Sequence, residues 1–195
     1  MNSPVKNALL SLSMNAAYAL YYLVFGIATS SWWLLTLGSY YLVLSLVRFA
    51  VLRSKKKERF ISRFTGVMLM ILSVPLVGTV ILSVVRDRGQ QLHMIVMIAI
   101  AAYAFTRITL ATISLIKSRH STSATLIALR NISFADAFVA IFALQRSMLV
   151  SFEGMSEAEI VIMNATLGSA VCIMVFLLGL NLWRNKKILF KTLND

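Results

Sequence analysis

The chain of 195 residues is 59% hydrophobic and 13% charged, with a mean hydropathy of +0.82. A water-soluble domain is about 45–50% apolar and about 25% charged, so this composition predicts that lipid surrounds most of the chain. The net charge of +12 would suit nucleic acid, but the basic residues lie between long apolar runs, so we expect no nucleic-acid partner. The single cysteine, Cys172, excludes a disulfide framework and a thiolate metal cluster.

Six apolar segments are each long enough to cross about 30 Å of hydrocarbon, which takes about 20 residues of α-helix. The first resembles a signal peptide in the small residues that follow it, but its apolar run is longer than usual, so we interpret it as a retained membrane helix. The fifth is the most polar of the six. The segments predict an all-α fold, a single transmembrane domain over residues 1–195 with helices from Ala8 to Ala28, Trp32 to Leu52, Ile61 to Val85, Leu92 to Ile116, Ser123 to Leu149 and Ile160 to Trp183.

Lysine and arginine in short loops indicate how the helices are oriented, because basic loops stay in the cytoplasm. Of the 19 basic residues, 13 fall in alternate connections or at the termini, and these predict a cytoplasmic N-terminus, second loop, fourth loop and C-terminus. The opposite side has only Arg86, Arg88 and Arg146. We therefore expect a multi-pass protein of the cell membrane, with both termini in the cytoplasm.

Trp32, Trp33 and Trp183 lie at predicted helix ends, where interfacial aromatic residues anchor a helix to the membrane surface. Arg48 is about one turn inside the end of the second helix, so we expect its side chain to extend towards the cytoplasmic surface.

An ionised side chain near the bilayer centre costs roughly 2.5–3.5 kcal/mol, so it is usually paired or faces a cavity. Arg107 in the fourth helix and Asp136 in the fifth lie at similar depths, about 15 Å from the cytoplasmic ends at 1.5 Å per residue. We predict that they pair, either as a structural clasp between two helices or as part of a solute or ion path. Arg130 and Asn131 are further path candidates, although Arg130 is offset from Asp136 by about 120° around the helix.

Asn15 and Asn164 are expected to form hydrogen bonds between helices, each contributing about 1 kcal/mol or less. No zinc-protease motif or nucleophile with a nearby base is found, so we expect neither an enzyme nor a cofactor. His93 and His120 fall at opposite membrane edges and cannot share a metal, so we predict no metal site.

Asn15, Ala19, Gly26 and Ser31 follow a spacing that resembles the start of the cation diffusion facilitator family. A second similarity is the run Thr122, Ser123, Leu126 and Ala128 that precedes Asp136, where the family has a metal-binding aspartate. The resemblance implies six helices, cytoplasmic termini, export of a divalent metal and homodimerisation.

The ligands that the resemblance implies are mostly replaced. Tyr40 and Leu44 stand where the family has ligands in the second helix, and Ile132 stands four residues before Asp136. A tetrahedral zinc site needs about four ligands, and an arginine beside Asp136 would repel a divalent cation. The resemblance therefore implies a degenerate relative without an intact zinc site and without the family's cytoplasmic domain.

Two functions remain open. The first is a small transporter whose path is lined by Asp136 and Arg107. The second is a non-transporting subunit whose basic second loop binds anionic lipid headgroups or an acidic partner, at about 1 kcal/mol per basic residue near the surface. We predict these contacts at Arg53, Lys55, Lys56, Lys57 and Arg63. We also predict one at position 60, which we assign to the arginine that lies between the lysines and Arg63.

Overall fold

The computed structural model describes residues 3–54, 58–85, 94–118, 123–151 and 155–184. These residues form six α-helices and no strand, which confirms the all-helical prediction. The first helix begins five residues before its predicted start, and the other ends lie within three residues of prediction. The helices are α1 (Ser3–Ala28), α2 (Trp32–Arg53), α3 (Glu58–Val85), α4 (Met94–Ser118), α5 (Ala124–Ser151) and α6 (Glu157–Arg184).

Four of the helices are long and apolar enough to cross a membrane, over Trp32–Arg53, Glu58–Val85, Ala124–Leu149 and Glu157–Arg184. In α1 and α4 the apolar stretches within the described side chains are shorter, Leu12–Ala28 and Ile100–Ile116. Large apolar side chains are exposed on the surface of the bundle, among them Val24, Val74 and Ile162. Apolar side chains on an outer surface are expected where lipid is the solvent, so these helices are those of a membrane protein.

Helix ends are specified locally. At the turn between α1 and α2 the backbone amide of Ser31 donates to the carbonyl oxygen of Gly26 at 3.0 Å, while Ser30 adopts φ 53°. A left-handed residue after the last helical turn is the usual way to end a helix. Before α6, the Glu159 carboxylate accepts from the Ser156 amide at 2.8 Å and the Glu159 amide donates to the Ser156 hydroxyl at 3.3 Å. This reciprocal pair is a capping box.

The bundle has α5 at its centre, where it packs against α2, α3, α4 and α6. The most extensive helix contacts are α3 with α6, α1 with α2 and α4 with α5. Gly66 and Gly179 allow α3 and α6 to approach closely, because a Cβ at Gly66 would lie 2.7 Å from the Gly179 carbonyl oxygen. The Ser62 hydroxyl also donates to the Leu182 carbonyl oxygen at 2.8 Å. Small residues at a helix contact are typical of membrane proteins, in which close backbone packing drives association.

Candidate functional site

A buried ion cluster joins α2, α4 and α5. The Asp136 carboxylate forms an ion pair with Arg107, and Arg48 Nη2 lies 3.5 Å from Asp136 Oδ2. All three side chains are at most 2% exposed. The predicted contact between Arg107 and Asp136 is therefore present, and a second guanidinium, from α2, shares the same carboxylate.

Neutral polar groups complete the cluster and bring in α1. Arg107 Nη2 donates to Asn15 Oδ1, and Arg48 Nη2 donates to Ser133 Oγ at 3.3 Å. The Tyr103 hydroxyl lies 3.1 Å from Asn15 Oδ1 and 3.4 Å from Asp136 Oδ1, so its proton can be donated to either. Four helices thus contribute side chains to one polar site inside the apolar bundle.

The charges of the cluster do not balance. Two guanidiniums share the carboxylate of Asp136. The other acidic residues of the described helices, Glu58, Glu157 and Glu159, lie in first turns at helix ends. Among the described side chains the cluster therefore has an excess of one positive charge, in an environment where an uncompensated charge is costly.

Aromatic side chains extend from the cluster towards the end of the bundle that holds the turn at residues 29–31, here called the α1–α2 end. The Tyr103 ring stacks on Tyr18 with ring centroids 3.5 Å apart and meets Tyr41 at 5.8 Å. Tyr41 stacks on Tyr22 at 5.9 Å, and Tyr22 meets the Trp33 ring edge to face at 6.5 Å. We call these five rings the aromatic column.

The aromatic column ends at another buried arginine, Arg146. Its guanidinium lies 4.5 Å from the centroid of the Trp33 ring and donates to the Ser83 carbonyl oxygen at 3.2 Å. Arg146 is near the end of α5, Ser83 is near the end of α3, and Trp33 is the second residue of α2. These contacts close the α1–α2 end of the bundle over the aromatic column.

Among the other predicted path and contact residues, Asn15 belongs to the cluster, whereas Arg130, Asn131 and Asn164 do not. Arg130 is half-buried and takes no part in the ion pairs of Asp136, and the Asn131 side chain donates to the Ile127 carbonyl oxygen of its own helix at 2.8 Å. Asn15 makes the predicted contact between helices. Asn164 is buried in α6, and its Oδ1 has no hydrogen-bond partner among the described residues.

The basic segment differs from prediction at one position. No arginine stands at position 60; the residue there is Phe60, and the arginine of this stretch is Arg59. Phe60 is 47% exposed and its ring stacks on Phe64 at 5.9 Å, one helical turn further along α3. An exposed phenyl ring has no charge to offer a headgroup phosphate and suits the acyl chains instead, so the prediction of a basic contact at position 60 was wrong.

The three arginines of the segment that the structure describes lie on the surface. Arg53, Arg59 and Arg63 are exposed, whereas Lys55, Lys56 and Lys57 lie outside the described residues. Arg59 and Arg63 are four residues apart in α3 and so share one face of that helix. Arg59 therefore replaces position 60 in the predicted contact set.

Two predictions about buried side chains were also wrong. Arg48 does not extend to a membrane surface; it is 1% exposed and binds Asp136. Trp33 is 4% exposed and faces inwards under Arg146, so of the adjacent pair only Trp32, at 63% exposed, is placed to contact lipid. In the structure Arg48 continues a buried stripe of α2 at alternating spacings of four and three, formed by Leu37, Tyr41, Leu44, Arg48 and Val51, which the mostly apolar sequence of α2 does not mark.

Within the described residues, no group of three or more histidine, cysteine, aspartate or glutamate side chains is arranged to hold a metal ion. The chemistry available at the cluster is instead recognition of charge and hydrogen bonding by guanidinium, amide and phenol groups. Comparison with known proteins adds no identity, since no family model, curated protein or solved structure matches the chain.

Proposed function

We propose that the protein is a transporter-type membrane protein in which the cluster of Arg48, Arg107 and Asp136 handles the solute. The supporting observation is that four helices direct ionisable and polar side chains to one point inside an apolar bundle. Intramembrane ionisable groups are expensive, and they commonly mark solute or proton pathways. A clasp between two helices would need only one pair, whereas here two guanidiniums converge on one carboxylate.

The proposal includes the topology: six membrane spans, both termini in the cytoplasm, and insertion in the cell membrane. Single cysteines in a Cys172→Ser background would test it. We expect a membrane-impermeant maleimide to label the Met155→Cys variant in intact cells and the Arg59→Cys variant only after the cells are opened. Labelling of Arg59→Cys in intact cells would contradict the orientation.

We also propose that the protein is related to the cation diffusion facilitators but carries a solute other than a divalent metal. Asp136 is the one family ligand present, and its neighbours here are two guanidiniums. Because these guanidiniums repel a divalent cation, we propose a degenerate relative that does not carry zinc. The family likeness also underlies the proposal of a homodimer.

Transport is tested with the full chain reconstituted in liposomes, by recording currents on solid-supported membranes after concentration jumps. Three probes are used: zinc as a divalent cation, choline as a monovalent cation and benzoate as a monocarboxylate. We expect a current for benzoate that is lost in Asp136→Asn and retained in Glu157→Gln, a matched carboxylate-to-amide change on an exposed residue.

No protein-dependent current for any of the three probes would contradict transport. A zinc current that Asp136→Asn abolishes would support transport and contradict the changed solute. Equal protein incorporation, measured by gel after flotation of the liposomes, makes the variants comparable.

A second candidate function is that of a non-transporting subunit, which the sealing of the cluster favours. Asp136 is 0% exposed and Arg48 is 1% exposed, so in this conformation both side chains are enclosed by the protein. Under this alternative the exposed Arg53, Arg59 and Arg63 contact anionic lipid or an acidic partner. The protein would then have a higher thermal stability in phosphatidylserine nanodiscs than in phosphatidylcholine nanodiscs, and replacing these three arginines with glutamine would reduce that difference. The replacement would not alter any probe current.

A further inference from the structure

The excess positive charge of the cluster calls for a negative charge that the described side chains do not supply. Arg48 and Arg107 share Asp136, and every other acidic residue of the described helices is at a helix end. One added monoanion would balance the two guanidiniums against two carboxylates. Guanidiniums bind carboxylates through paired hydrogen bonds, which makes a carboxylate the matching group.

Unused hydrogen-bond donors lie beside the same guanidiniums. Asn15 is 0% exposed; its Oδ1 accepts from Arg107, while its Nδ2 has no hydrogen-bond partner among the described residues. Tyr40 is 1% exposed and its hydroxyl is also without such a partner; it interacts electrostatically with Cys172 and, more weakly, with Arg107 and Arg48. Buried donors are normally satisfied, so the Asn15 amide bound to Arg107, together with the Tyr40 phenol in the same part of the core, points to a bound acceptor.

The aromatic column connects this site to the α1–α2 end. The hydroxyls of Tyr22 and Tyr41 and the Trp33 indole nitrogen are buried without hydrogen-bond partners in the described part of the chain. Rings with unused donors suit a solute that is apolar at one end and polar at the other. The Arg146 guanidinium over Trp33 closes the outer end of the column, and its charge attracts an arriving anion.

We infer that the cluster is an occluded binding site for a small organic monocarboxylate with an apolar body, which enters along the aromatic column once Arg146 leaves Trp33. The inference rests on the proposed transport function and specifies its substrate class. In the occluded state Asp136 occupies the guanidiniums that the solute carboxylate binds after entry.

Binding is measured directly with the full chain purified in mild detergent, by scintillation proximity with radiolabelled benzoate. We expect saturable binding that unlabelled benzoate displaces and that benzylamine, the same ring with the opposite charge, does not. Arg48→Gln should weaken binding roughly 10- to 100-fold, and Tyr40→Phe should weaken it roughly 5- to 10-fold. Tyr21→Phe is the matched control, because Tyr21 is 37% exposed and lies outside the cluster.

Asp136→Asn supplies a readout that a purely structural cluster would not show. Without the competing carboxylate, benzoate should bind roughly tenfold more tightly and should raise the unfolding midpoint of this variant more than that of the unmodified chain. Arg48→Gln and Tyr40→Phe keep the inference testable if Asp136→Asn does not fold.

The outcomes separate the inference from the proposed function. No saturable benzoate binding, or binding that is unchanged in both Arg48→Gln and Tyr40→Phe, overturns the inference. A choline current that depends on Asp136, without benzoate binding, supports transport and overturns the inference. Benzoate binding with the expected variant pattern, without current for any probe, supports the site and overturns transport.

Discussion

Replacing Asp136 with asparagine removes the carboxylate that Arg48 and Arg107 share, with little change in side-chain shape. At 3.5 Å and an effective dielectric constant of about 20, the attraction between Asp136 and Arg48 alone is about 5 kcal/mol. The variant loses this attraction and keeps two buried guanidiniums that repel each other. Removing one partner of a buried pair costs about 3–5 kcal/mol, and we expect the free energy of unfolding to fall by that amount.

Replacing Arg48 with glutamine should have a much smaller effect. Arg107 and Asp136 then remain as a one-to-one pair, and the repulsion between the guanidiniums disappears together with the cost of burying the second one. Glutamine can still donate a hydrogen bond towards Ser133. We expect the free energy of unfolding to change by less than about 1.5 kcal/mol.

The two variants can be compared by titrating SDS into protein held in mild detergent micelles and following tryptophan fluorescence. Glu157→Gln serves as the control, because it makes the same chemical change as Asp136→Asn on an exposed side chain. If Arg48→Gln destabilises the protein as much as Asp136→Asn does, the folded cluster has no excess positive charge, contrary to this prediction.

Three further predictions concern other parts of the bundle. In the same titration, Gly66→Ala should lower the free energy of unfolding by about 1–3 kcal/mol, because the added Cβ meets an α6 carbonyl oxygen at 2.7 Å. Gly78→Ala is the control and should not lower it, because a Cβ there meets nothing within 4 Å. Ser30→Gly should raise the free energy of unfolding by about 1 kcal/mol because φ is 53° there, and a lower SDS midpoint would contradict this. Trp33→Leu should lower the free energy of unfolding by about 1–2 kcal/mol more than Trp33→Phe does, because phenylalanine keeps a ring under Arg146. Equal SDS midpoints for the two variants would exclude the cation–π contact.

The sequence predicted the contact between Arg107 and Asp136 but not the whole cluster. Residues on antiparallel neighbouring helices at equal depth are brought together by helix length alone, so counting along α4 and α5 was sufficient. Arg48 could not be placed by counting, because its depth also suits a side chain that reaches the membrane surface. Its direction depends on how α2 is rotated against α5.

The aromatic column was missed for a related reason. In a soluble helix one polar face marks the outside, and the apolar face is read directly from the periodicity. In α2, 16 of the 22 residues are apolar, so the stripe that includes Tyr41 and Arg48 does not stand out from the lipid-facing residues. The same ambiguity explains the opposite environments of the adjacent Trp32 and Trp33.

By itself, the sequence determined that the chain is helical, that it has six apolar segments and that Asp136 is the acidic residue placed deepest among them. These properties follow from composition and length, because a helix satisfies its own backbone hydrogen bonds in lipid. Only the tertiary structure decided that Arg48 joins Arg107 at Asp136 and which rings lead to this cluster. Those contacts depend on helix rotation and crossing, which are set by close packing at small residues such as Gly26 and Gly38, where α1 meets α2, and not by hydrophobicity.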